Sequence, residues 1–169
     1  MNKTLTMAVV GFGLLVSVVS CNKPKSTQLN VNLSATVTNY DAIEIQVQEV
    51  WIKTDEDNSG WLRLPNYDKP LSFFKTGSLK DTILASGGVA PGEIRMVKFV
   101  FGDNNKVVKD NKTYALQFPT KQDAKLVVIN LKKSLSGEHD ALNLLFDIEA
   151  SVSSPSAGVY VFNPKIKLQ

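Results

Sequence analysis

Apolar residues recur at every second position along most of this chain, and that period decides what it can fold into. Leu29, Val31, Leu33 and Ala35 alternate with Asn30, Asn32 and Ser34. Side chains of an extended strand point alternately to opposite faces, so this spacing describes a sheet with one buried and one wet face. Ile43, Ile45 and Val47 repeat the pattern, and the parity then slips to Val50 and Ile52. A one-residue slip turns every later side chain over, which predicts a β-bulge or a strand that crosses from one sheet to another.

Turn chemistry divides the rest of the chain into strands. Asp55 to Gly60 is a polar turn before Trp61, Leu62 and Leu64, while Gly87-Gly88 and Pro91-Gly92 read as further turns. Between Glu93 and Phe101 both parities are apolar, with Val97, Phe99 and Phe101 on one face and Ile94, Met96 and Val100 on the other. A strand covered on both faces belongs in the middle of a sheet. Asn104-Asn105 and Asp110-Asn111 flank Val107-Val108 with residues that accept the positive φ of hairpin turns. Tyr114, Leu116 and Phe118 alternate up to Pro119, and Lys125 to Leu131 is rich in β-branched residues. Leu142, Leu144, Phe146 and Ile148 form another run, with Ala150 and Val152 in phase. A turn from Ser151 to Gly158 then leads to a terminal strand of Tyr160, Phe162, Ile166 and Leu168, which Pro164 places at a sheet edge. About nine strands at hairpin spacing, with at most a helical turn around Phe73, predict an all-β, two-layer antiparallel β-sandwich.

Ahead of this domain lies a segment of another kind. Lys3 precedes the apolar run Met7 to Val19, and Ser20 leads into Cys21, the only cysteine of the chain. The run is too short, with Gly11 and Gly13 inside it, for a transmembrane helix, and matches a cleaved export signal. Val18-Val19-Ser20-Cys21 resembles the lipobox of bacterial lipoproteins, with Val18 in the usual leucine position. That resemblance implies a diacylglycerol thioether and palmitate on Cys21, and each buried methylene adds about 0.8 kcal/mol to membrane attachment. Residues 1–20 therefore read as the signal peptide, 21–28 as the acylated cysteine and its tether, and 29–169 as one domain. In bacterial lipoproteins that this segment resembles, acidic residues just after the cysteine often mark export to the outer face, so their lack after Cys21 implies the periplasmic face of an outer membrane over the cell surface. With Cys21 acylated no disulfide can form, and apolar burial alone must hold the fold.

The motifs from Val50 to Gly60-Trp61, Pro91-Gly92-Glu93-Ile94-Arg95, Gly102 to Val108, and Leu145-Phe146-Asp147 with Tyr160 and Pro164 resemble the lipoprotein family called domain of unknown function 4382. The resemblance covers residues 29 to 168. It implies a prealbumin-like or immunoglobulin-like sandwich on an exported lipoprotein and brings no established activity. In place of the family's usual Thr-Asp-Ala-Pro after the first strand, this chain has Ser34-Ala35-Thr36-Val37.

Chemistry-bearing residues are sparse. The 19 basic and 16 acidic residues are scattered, whereas nucleic-acid binding needs a clustered basic surface. The single histidine, His139, sits in a polar turn, and no nucleophile elbow or second thiol accompanies it. Asp55-x-Asp57-x-Ser59-Gly60 matches the first half of a calcium loop, but Asn66 stands where a bidentate Glu is needed. Trp51 has the opposite parity to Val50 and Ile52 and so faces outward, with Trp61 opening the next strand across the acidic turn. Two such rings can stack on a sugar or a protein partner; the plainer reading makes Trp61 a core plug shielded by Trp51. The favoured function is a non-enzymatic, membrane-anchored module that binds a glycan or an envelope protein. A structural accessory of an envelope assembly, joined by strand addition near Pro164, comes next. A carboxylate-dependent hydrolase comes last.

Overall fold

The computed structural model describes residues 26–36, 39–54, 60–67, 69–74, 82–119 and 125–169. Its strands are β1 (Thr27–Ala35), β2 (Ala42–Ile45), β3 (Val47–Thr54), β4 (Leu62–Leu64), β5 (Leu71–Phe74), β6 (Thr82–Val89), β7 (Glu93–Phe101), β8 (Lys106–Lys109) and β9 (Lys112–Gln117). They continue with β10 (Leu126–Ser134), β11 (His139–Phe146), the helical turn α1 (Ile148–Ser151), β12 (Val152–Ser156), β13 (Val159–Phe162) and β14 (Ile166–Leu168). The fold is all-β and sandwich-like, with the strands in three sheets of order β14-β11-β1-β6, β10-β7-β3-β4 and β12-β13-β9-β8-β2-β5.

One core joins all three sheets. Phe146 of β11 lies 5.6 Å from Phe73 of β5 and 6.0 Å from Phe162 of β13, and Phe162 lies 5.7 Å from Phe101 of β7, measured between ring centroids. The two Phe162 contacts are edge-to-face, and aromatic pairs of this kind add roughly 0.5–1.5 kcal/mol each to the area they bury. Leu29, Val31 and Leu33 of β1 are fully buried, as their alternation requires.

The parity slip after Val47 is a β-bulge at the start of β3, just beyond a passage between sheets. The chain leaves one sheet at Gln46, where β2 ends, and enters another as β3, and the β3–β7 register shifts between Val47 and Glu49. Ile43, Ile45, Val47, Val50 and Ile52 can therefore all be buried. The crossing is held by Asn105, which is 2% exposed. Its Oδ1 accepts from the Gln46 N–H at 2.8 Å, and its Nδ2 donates to the Gly102 carbonyl at 2.6 Å. β7 is central between β10 and β3, and its two register shifts let Ile94 reach the core despite its parity. The β8–β9 hairpin turns on Asp110 (φ 51°) and Asn111 (φ 60°).

Several expectations are corrected. The sandwich is not purely antiparallel, because β1 pairs with β11, and β13 with β9, in parallel. Parallel neighbours need long crossovers, and alternation within a strand carries no information about the direction of its partner. Gly87-Gly88 lies inside β6 rather than in a turn. A Cβ on Gly87 would stand 3.2 Å from Leu64 and 3.3 Å from Pro65, so the glycine admits the segment that pairs antiparallel along β6 at Asn66. Phe73 is in a strand, and the helical turn occurs at Ile148–Ser151. There Asp147 caps the turn by accepting from the Ala150 N–H at 3.1 Å, which ends the β11 alternation before Ile148. Pro164, itself buried, separates β13 from β14, and the two lie in different sheets instead of forming one terminal strand.

Candidate functional site

The outward face of the β10-β7-β3-β4 sheet brings Trp51 and Trp61 together. Trp51 pairs across the sheet with Lys98 on β7 and with Arg63 on β4. Its outward direction follows from the burial of Val50 and Ile52 on either side. Trp61 comes immediately before β4 and arrives on the same surface.

The Lys98 Nζ lies 4.7 Å from the ring centroid of each tryptophan. Two indole faces thus hold one ammonium group by cation–π attraction, with roughly 0.5–1 kcal/mol per ring for contacts open to water. Trp51 Nε1 donates to Glu49 Oε2 at 2.8 Å, and Arg63 Nη2 stands 3.5 Å from Glu49 Oε1. Both rings are half-buried. Trp61 is therefore no core plug, and the outward parity of Trp51 holds. Next to Arg63 a cleft of about 490 Å³ is lined by Gln48, Arg63, Leu64, Pro65 and Asn66.

The result is a surface with aromatic area, a fixed ammonium, a carboxylate and a guanidinium within a few side chains of one another. Aromatic planes accept flat apolar surfaces, while the charged groups can fix orientation by hydrogen bonds. Sequence reasoning found the two tryptophans but missed Lys98, Glu49 and Arg63. Lys98 does carry a signal, as the one charge between Met96 and Val100 on an apolar strand. Its meaning appears only once the β3–β7 register is known.

A family model for Domain of unknown function (DUF4382) matches residues 26–164. The chain belongs to the DUF4382 family. No curated protein and no solved structure matches it.

Other candidate positions of this DUF4382 domain fall elsewhere. His139 is the exposed first residue of β11, opposite Gln28 of β1. Its neighbour Asp140 anchors the β10–β11 connection: its Oδ1 is 3.0 Å from Lys133 Nζ, and its Oδ2 accepts from the Ser136 N–H at 3.1 Å. Burial alone would push that carboxyl up, but the Lys133 side chain and the backbone N–H groups of Ser136 and Ala141 outweigh it and hold it below its ordinary value. Burial, with smaller contributions from Tyr160 and Glu149, raises the Tyr40 hydroxyl. Among the described residues no three His, Cys, Asp or Glu side chains gather to hold a metal ion, and no helix is long and apolar enough to cross a membrane. Cys21 and the candidate calcium ligands Asp55, Asp57 and Ser59 lie outside the described residues.

Proposed function

We propose that this protein is a lipid-anchored envelope module that binds a glycan or an envelope protein, without catalysis, through the surface built on Trp51, Trp61 and Lys98. The observation that carries the reading is the convergence of two tryptophans on one ammonium group at a sheet face. Large aromatic rings gathered at a sheet face beside ordered polar groups offer the flat apolar area that recognition uses. The resemblance of Val18 to Cys21 to a lipobox supports attachment at Cys21, and the short polar stretch after it suits a tether at the periplasmic face of an outer membrane.

Two experiments test the two halves. Labelling cells with an alkynyl palmitate analogue should mark the wild-type protein and leave Cys21→Ala unmarked; an unlabelled wild type refutes the anchor. Trp51→Ala should lose retention on a glycan array or in a crosslinking pull-down from intact cells. Retention equal to wild type in both refutes the binding surface.

A further inference from the structure

Every sheet has two outer strands, and exposed backbone on such strands invites another chain unless something blunts it. Among the described residues, five of the six here are blunted. β4 and β14 have three residues each, β5 has four, and β12 contains Pro155. The outer edge of β6 is covered, since Tyr67 N–H donates to the Leu84 carbonyl at 3.1 Å and Ser86 N–H to the Pro65 carbonyl at 3.0 Å.

β10 is the exception. It has nine residues and, among the described residues, is hydrogen-bonded as a strand only to β7, with β14 close by but not paired to it. Leu126 to Leu131 contains neither a charge nor a proline. Its outward Leu126 and Val128 are 46% and 43% exposed, and its inward Val127 and Ile129 are only half-buried. Lys132, Lys133 and the register shift after Asn130 protect only the far end.

Alongside this edge runs a cleft of about 500 Å³, with Val127–Asn130 as one wall and Pro164–Lys167 as the other. Pro164 and Ile166 supply apolar lining. Lys165 and Lys167 are exposed and make no ion pair among the described residues, while the one carboxylate, Asp147, is engaged with the Ala150 N–H. The cleft therefore combines unpaired strand backbone, apolar walls and an unbalanced positive charge. An extended peptide satisfies all three when it adds a strand and sets carboxylates beside the lysines. A second copy fits poorly, because two β10 edges joined across a twofold axis would bring both pairs of lysines together.

We propose that the free edge of β10 receives an extended acidic segment of a partner protein as an added strand, with its carboxylates against Lys165 and Lys167. The probe is a fluorescein-labelled peptide of alternating Glu and Val, titrated into the full chain in detergent and read by anisotropy and amide exchange. Saturable binding with slowed exchange at Leu126–Leu131 is expected, together with loss of binding when the peptide backbone is N-methylated. Val128→Glu and the double variant Lys165→Glu, Lys167→Glu, all at exposed positions, should each weaken binding by about tenfold or more. Trp51→Ala should leave it unchanged, so this surface and the tryptophan surface can fail independently. The proposal is overturned by no saturable binding, by equal binding of a Lys/Val peptide or of the N-methylated peptide, or by protection of β10 that grows with protein concentration when no peptide is present.

Discussion

Replacing Asn105 by alanine tests how this chain passes from one sheet to another. The side chain satisfies two backbone groups at the β2–β3 crossing: it accepts from Gln46 N–H at 2.8 Å and donates to the Gly102 carbonyl at 2.6 Å. Alanine leaves both without their partner beside a core that gives water little access. An unsatisfied buried group costs about 1–3 kcal/mol, and Gln46 is only half-buried. The expected loss is therefore about 2–4 kcal/mol, a large part of the roughly 5–15 kcal/mol that holds a domain together. Urea unfolding followed by tryptophan fluorescence would show this as a midpoint lowered by about 1–2 M with an unchanged slope. Asn105→Asp separates the two bonds. It keeps an acceptor for Gln46 but sets a carboxylate oxygen against the Gly102 carbonyl, so it should be at least as damaging at neutral pH. A midpoint shift under about 0.3 M for Asn105→Ala would refute the reasoning, because it would mean that water or backbone movement replaces both bonds.

Three further outcomes follow from the same geometry. Lys98→Met retains the aliphatic stem and removes two cation–π contacts, so unfolding should become easier by about 1–2 kcal/mol, with altered tryptophan emission. Asp140 titrates below its ordinary value of 3.8 in the folded state. Its contribution to stability is therefore complete above that value and is lost as pH falls through the lower folded one. Asp140→Asn should be less stable than wild type at neutral pH, and urea titrations at decreasing pH should show the difference closing in the acid range. Asp110→Val forces a β-branched residue into positive φ and should cost about 1–2 kcal/mol, measurable by the same unfolding assay.

Where local chemistry decides the structure, the sequence could be read. The slip between Val47 and Val50 marked the β-bulge at the start of β3, just after the passage between sheets at Gln46, because parity is a property of the strand itself. Asp110-Asn111 marked a hairpin because few residue types tolerate positive φ. Distant partners were not legible. Nothing in the alternation of Leu29 to Ala35 says that its neighbour is β11, more than a hundred residues later and parallel. Gly87 looks like a turn residue because glycine serves both turns and close approach, and only the position of Leu64 and Pro65 distinguishes them. The apolar phase carried past Phe146 into a helical turn because Asp147, as an N-cap, outweighed the periodicity. The candidate site divides in the same way. Parity put Trp51 outside, but the strand register alone reveals Lys98 between the two rings.

The central claim is that the tryptophan surface recognises a component of the envelope while Cys21 holds the domain there. Its most direct measurement is a crosslinking pull-down from intact cells that compares wild type with Trp51→Ala, both carrying Cys21 and both checked for equal membrane recovery. The account predicts one or more specific crosslinked species with wild type and their loss with Trp51→Ala. The same species at the same yield from both proteins would contradict it.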